Sequence, residues 1–403
     1  MRARRAREHR MRTLLKIAAA LLIGALLPPE PGMAGDCPAK REDCHFTVLT
    51  IPFESDDAGE LGRNVSLTIQ HQIFRKFLLS LPAEPEDICC LPNDTIAVLA
   101  WGQLSEQDHD EAIRRANEMG STQLVLWGKA WPWREYVVVQ PYLSVVGPPR
   151  ELDPQVRICC TNTRGIDRIR PFTKDGEWRI WEIAEDDANG DARKLYIDRF
   201  PRELYDLPQI SLDANDVKQF RSLAGLPIYA NNNGRVGRLL DGVTTDSSIK
   251  ALQHVGEWTL VDEPRGWIKL PVVDAGQIVE FIGGLMHFLR GNWERARTSF
   301  EAVAQDKAGS SSVRVDAALL LAATEYRLDA SCGGCQHAID IAKGINPYSV
   351  TTARFELMAR IAQGGPGNEV ATLLAELTEN RALFPPEDPF TQRAVEFLRE
   401  PAR

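Results

Sequence analysis

Long apolar stretches are missing from this chain of 403 residues. The longest, "IAAALLIGALL" at 17–27, runs eleven residues counting its glycine. A membrane-spanning helix needs about 20, so no segment reads as a comfortable bilayer span. Catalytic signatures are missing too. There is no H-E-x-x-H, G-x-S-x-G, phosphate-binding G-x-x-x-x-G-K-[ST] or dinucleotide G-x-G-x-x-G, which removes the commonest zinc-protease, serine-hydrolase and nucleotide readings. An active site assembled from distant positions leaves no such mark. Histidine is scarce, with seven in all, and no two are spaced to share a helix face. His109, in "DHDE", reads as a solvated residue on an exposed helix face. Positive charge is in the minority: 47 Lys and Arg against 56 Asp and Glu, a net −9. That balance makes a poor polyanion binder, so nucleic acid is not an expected partner.

What is present begins with an export signal. The basic "MRARRAREHRMRTLLK" precedes the apolar run, and Gly32-x-Ala34 offers a small-x-small cleavage site. Residues 1–34 therefore read as a secretory signal peptide, with Met11 as a second possible start and an uncleaved N-terminal anchor as the alternative. The segment holds seven Lys and Arg against two Asp and Glu, so its removal takes the net charge from −9 to −14. All eight cysteines lie beyond it. Periplasmic export makes disulfides the expectation. Adjacent Cys89-Cys90 and Cys159-Cys160 are too strained to bond within a pair, so pairing between the two is favoured, and the full connectivity stays open.

Residues 45–147 read as a small α/β domain of order β-α-β-α-β-β. "FTVLTIPF" is a strand, and Leu61, Val65, Ile69, Ile73 and Phe77, each four apart, form a buried helix ridge. "TIAVLAW" is a second strand. Ser105 caps a second helix whose inner face is Ala112, Ile113, Ala116 and Met119. "TQLVLWGKAW" and "REYVVVQPYLSV" make a hairpin. Trp127, Trp131 and Trp133 suit strand packing, with a ligand surface as the alternative. The segments "LTIPF", "ELGRNVSLTI", "AIRRANEMGSTQLVLWGKA" and "VVVQPYLSV" resemble the TolB N-terminal-like family of exported domains, which implies a non-catalytic α/β unit. Residues 150–223 read as a β-rich connecting region, with "DGEWRIWEI" a strand and "PRELYDLPQ" a connector. "EDDANGD" has the look of a calcium loop, but Tyr196 stands where a carboxylate is needed, so it reads as a solvated acidic turn.

Residues 225–273 are short strands broken by Gly, Asn and Asp turns, the pattern of a small barrel. "PIYANNNGRVGRL", "VGEWTLVD" and "RGWIKLP" resemble the bacterial Src-homology-3-like family. Its usual loop is replaced by "YANNNGR". Tyr229, Trp258 and Trp267 are candidate ligand contacts, although Trp258 and Trp267 also suit filling a barrel.

Residues 275–403 read as helical repeats with a capping helix. Gly284, Ala296 and Phe300 recur in offset at Ala359, Ala371 and Ala375, and Ala338 and Ala342 supply the four-residue step. Small residues allow close approach of two antiparallel helices, with Phe300 expected to fill the gap to the next pair. "RGNW" is the turn, which makes Trp293 a further candidate contact. The stretch 277–378 resembles the tetratricopeptide repeat, with an ordinary helical bundle as the alternative. "DPFTQRAVEFLREP" reads as the cap. "CGGC", Cys332 to Cys335, precedes a helix. A cysteine there has a lowered pKa, but dithiol oxidoreductases carry such a motif after a strand. A structural Cys332–Cys335 disulfide is the expectation, with redox chemistry or a metal site as alternatives.

The expected fold class is thus multidomain α+β: a small α/β domain, a Src-homology-3-like (SH3-like) β-barrel and a C-terminal tetratricopeptide-like α-solenoid. The expected function is a non-enzymatic envelope scaffold that needs no cofactor or metal and binds a protein or cell-wall peptide. The competing expectation is a periplasmic thiol–disulfide oxidoreductase using Cys332 and Cys335.

Overall fold

The computed structural model describes residues 47–56, 59–82, 108–119, 122–146, 178–185, 192–199, 204–244, 248–262, 265–329 and 333–349, with scattered positions between 351 and 375. The export signal, the strand expected at 95–101, Ser105, the acidic turn at 186–191, Cys332 and the capping helix at 388–401 lie outside them. The described residues belong to one compact unit of mixed α and β structure. None of its described helices is long and apolar enough to cross a membrane.

The first sheet is built as the alternation of its strands dictates. Strand β1 (Thr47–Thr50) pairs in parallel with β3 (Thr122–Trp133), which forms an antiparallel hairpin with β4 (Tyr136–Val145). Strands β7 (Leu204–Asp206) and β8 (Ile210–Asp213) both pair with β4. The segment expected as a connector therefore adds a strand, because Tyr205 alternates into the core between half-buried Leu204 and exposed Asp206. Val48, Leu124 and Leu126 point to one face, where helix α1 (Glu60–Phe77) covers them. Leu49, Ile51, Val125 and Trp127 point to the other, where helix α2 (His109–Met119) supplies Ala112 and Ala116. The α2 amide of Glu111 is capped by Asp108 Oδ1 at 2.7 Å.

The second sheet has the order β10-β9-β13-β12-β11-β2 and forms an open path, without a closed barrel, among the described residues. Its strands are β2 (Ser80–Pro82), β9 (Pro227–Asn232), β10 (Arg235–Gly242), β11 (Ser248–Val255), β12 (Trp258–Asp262) and β13 (Gly266–Lys269). Strand β2 continues directly from α1 and pairs with β11 through Leu81 and Ile249. The sheet expected to stand alone is thereby joined to the preceding α/β segment. A separate hairpin pairs β5 (Trp178–Glu185) with β6 (Ala192–Arg199).

Four helices follow: α4 (Gln277–Leu289), α5 (Trp293–Gln305), α6 (Ser311–Leu328) and α7 (Gly333–Ile345). Each packs on the next in sequence. Adjacent glycines on α4 receive rings from two sides. A Cβ on Gly283 would lie 1.8 Å from Phe77 of α1, and one on Gly284 would lie 2.6 Å from Phe300 of α5. The small residue at 284 does permit close approach, as its spacing suggests. Phe300 differs from expectation: it fills the space within its own helix pair, 6.2 Å from the Phe281 ring and 6.1 Å from Phe288. Tyr205 of the first sheet meets Phe281 edge-on at 4.9 Å. One hydrophobic core consequently runs from Val48 to Ala359, through both sheets and the helices.

Candidate functional site

Three of the four candidate aromatics gather on the second sheet. Tyr229 of β9 lies opposite Trp267 of β13. The Trp258 ring stands edge-on to Tyr229 at 5.3 Å, and both are half-buried. Trp267 is 2% exposed and fills the interior. Its indole N–H donates to Asn231 Oδ1 at 3.3 Å, and the same oxygen accepts the Gly234 amide at 2.8 Å. The unusual "YANNNGR" loop thus uses an asparagine both to order its turn and to anchor the indole. Trp293 lies apart, at the start of α5. Its ring meets Phe288 edge-on at 5.3 Å, with the Arg327 guanidinium 5.8 Å from its centroid. It ties α4, α5 and α6 together.

Cys335 sits in the first turn of α7 and is fully buried. Its sulfur is held in a disulfide, and the other seven cysteines lie outside the described residues. Sγ lies 3.3 Å from the Ala322 carbonyl oxygen. A disulfide sulfur has no proton to donate, so that contact is packing rather than a hydrogen bond.

On the first sheet Trp127 is buried, stacks on Tyr142 at 4.7 Å and donates to Ser144 Oγ at 2.9 Å. His109 Nδ1 also lies 2.9 Å from that hydroxyl. The solvated role expected for His109 is therefore corrected: the ring turns in toward the sheet because Ser144 offers a partner. Trp133, 60% exposed, and Tyr136 stand at the tip of the β3–β4 hairpin.

The residues that sequence reasoning missed lie on α1. His71 is 2% exposed, its ring tilted against Phe220 at 5.4 Å, and its Nδ1 has no hydrogen-bond partner among the described residues. Burial, and then the positive charge of Arg75, push its pKa from 6.5 down to about 3, so the imidazole is neutral at physiological pH. Arg75, one turn on, donates Nη1 to the Pro271 carbonyl at 3.3 Å and Nη2 to the Gly256 carbonyl. Gln72 Nε2 donates to the same Pro271 oxygen at 3.1 Å. Beside them lies a cavity of about 180 Å³. His71 belongs to its lining, with Phe220, Leu226, Leu270 and Pro271 as apolar walls and Gln219, Arg221, Glu257 and Lys269 as exposed polar members. Glu257 and Lys269 are ion-paired at 2.9 Å. One signal in the sequence pointed here. "SLTIQHQIF" at 66–74 carries no Lys, Arg, Asp or Glu, whereas a helix with a solvated face would.

No metal-binding cluster of His, Cys, Asp or Glu occurs among the described residues. No protein-family model matches the chain, and neither the curated proteins nor the solved structures yield a match.

Proposed function

We propose that this protein is a non-catalytic interaction scaffold of the cell envelope, exported by its N-terminal signal. It binds a protein or cell-wall peptide through its tetratricopeptide-like helices and its SH3-like sheet. The observation that carries the reading is the serial packing of α4 to α7, each helix against its sequence neighbour. Serial stacking of this kind leaves a continuous side face available to a partner. The second sheet adds aliphatic surface at its edge strand β10, where Leu239 is 58% exposed and Leu240 and Val236 are exposed beside it. Arg235 and Arg238 on the same strand suit an acidic or carboxylate-bearing segment.

The test is site-specific photo-crosslinking of the full chain in its native envelope, with probes at Leu239 on β10 and at Tyr348, which follows α7 and is exposed. Capture of one specific partner from either position, and none from Trp133, supports the scaffold. The Cys332/Cys335 oxidoreductase is the competing outcome. It would appear as turnover of a disulfide substrate that a Cys332→Ser/Cys335→Ser variant loses. The complete burial of Cys335 argues against that outcome, because an attacking thiolate has to be reached by its substrate.

A further inference from the structure

Binding of macromolecules leaves one feature of the molecule unused: the cavity beside His71. It lies where the buried polar side of α1, the segment following the short helix α3 (Ala214–Val217), and the turns of the second sheet converge. A neutral imidazole has one nitrogen that donates and one that accepts. Nδ1 is sealed from solvent without a partner among the described residues, so it is the remainder of the ring that belongs to the cavity lining and meets a ligand there. The volume is of the right order, since a dry protein cavity of about 150 Å³ accepts benzene. The walls formed by Phe220, Leu226, Leu270 and Pro271 suit an apolar or aromatic body.

The charge around the cavity favours an anion. Arg221 and Lys269 are exposed members of its lining, and its one acidic member, Glu257, is the ion-pair partner of Lys269, which leaves Arg221 as the unmatched charge in the lining. Arg75 holds the carbonyl of the lining residue Pro271, and among the described residues its Nη1 and Nη2 reach backbone carbonyls and no carboxylate in ion-pair range. Glu257 acts on Arg75 only as a charge at longer range. The polar members of the lining also differ in burial, with Gln219, Arg221, Glu257 and Lys269 exposed and the imidazole buried. We infer that the cavity is a binding site for a small carboxylic acid with an apolar body and a hydrogen-bonding group at its far end. The carboxylate lies between Arg221 and Lys269 and the far group meets the His71 ring. The acid has two possible sources, a free small molecule or the C-terminal residue of a peptide.

Calorimetry on the full chain with four probes tests this. 4-Hydroxybenzoate is the reference, benzoate lacks the far group, and 4-hydroxybenzamide lacks the charge. N-acetyl-alanyl-tyrosine presents the same chemistry at a chain end. The expected order is 4-hydroxybenzoate over benzoate by about threefold or more, the size of one ordinary hydrogen bond. 4-Hydroxybenzamide should fall about tenfold or more below the reference, the size of a lost charge-assisted contact. A His71→Phe variant keeps a ring in place but should erase the difference between 4-hydroxybenzoate and benzoate. An Arg221→Ser variant alters only an exposed side chain, so it folds even if His71→Phe does not, and it should shrink the gap between acid and amide. Binding by N-acetyl-alanyl-tyrosine at least as tight as the reference assigns the site to a peptide terminus, and its exclusion assigns it to free acids. The inference falls if no probe binds saturably at millimolar concentrations. It also falls if acid and amide bind alike, or if a crystal grown with 4-hydroxybenzoate holds only ordered water against His71. None of these outcomes bears on crosslinking at Leu239 or Tyr348, so the scaffold reading stands or falls separately.

Discussion

Helices α1 and α6 are both eighteen residues long, and each has twelve buried residues. Their buried surfaces differ in kind. Half of those on α1 are polar: Ser66, Thr68, Gln70, His71, Gln72 and Arg75. On α6 only Asp316 and Thr324 are, and the rest are mostly alanine, leucine and valine. The reason lies in what each helix touches. Helix α6 sits mainly between α5 and α7, with a smaller contact to β6, and the backbone groups of these regular elements are satisfied within their own turns and ladders, so small apolar side chains suffice. Helix α1 meets strands of both sheets, helices α3 and α4, and the irregular turns at Gly256 and Pro271. Carbonyls in such turns have no ladder partner, and a buried one needs a donor from elsewhere. Gln72 and Arg75 supply those donors, and His71, next to Gln72 in the polar run, lines the cavity.

Substitutions can break or sharpen this contrast. The largest effect is expected at Arg75. Arg75→Leu removes the donor to Gly256 and one of two donors to Pro271, and should cost about 3 kcal/mol, read as a lower denaturation midpoint. An unchanged midpoint would make α1 an ordinary core helix and dissolve the comparison. On α6 the sensitive property is volume. Ala318→Leu or Ala322→Leu, at fully buried positions, should each cost about 1–3 kcal/mol by overpacking, with far-ultraviolet circular dichroism unchanged.

Acid should separate the helices more gently. The depressed pKa of His71, about 3 against 6.5, means that at pH 7 neither the folded nor the unfolded chain protonates this group. Below 6.5 the unfolded chain gains a proton that the folded one refuses. Stability is therefore full above 6.5 and falls by about 1.4 kcal/mol per pH unit for this group as pH drops toward 3. His287 on α4, held near 4 by burial first and then by Arg295 and Arg290, adds in the same direction over a narrower window. A His71→Phe variant should show a shallower fall between pH 6.5 and 5 in urea titrations, and an equal slope would refute the buried neutral ring. The smallest effect is expected at the threonines. Thr68 donates to the Asn64 carbonyl and Thr324 to the Leu320 carbonyl, each at 2.7 Å. Thr68→Val and Thr324→Val should each change stability by less than about 1 kcal/mol, and equally, because each bond closes on its own helix.

The readable parts were those whose signal is local. The ridge from Leu61 to Phe77 marked α1, "RGNW" marked the turn between α4 and α5, and the alternation of 122–145 marked the hairpin. Tyr229, Trp258 and Trp267 were singled out by residue type, and strand pairing does bring them together. Trp293 shared their chemistry but not their location, since residue type carries no information about distance. The partner that Phe300 chose was also invisible, because a four-residue offset fits a neighbour in the same helix pair and in the next one equally well.

By itself the sequence determined the periodicities: which segments coil, which alternate, and where small residues allow two helices to approach. Those follow from backbone geometry acting over a few residues. Only the tertiary structure decided that β2 would complete a sheet made some 170 residues later in the chain, and that Arg75 would reach Gly256 and Pro271, 181 and 196 positions away. Such contacts form because buried carbonyls require donors and buried glycines admit rings, and neither demand is written in the spacing of neighbouring residues.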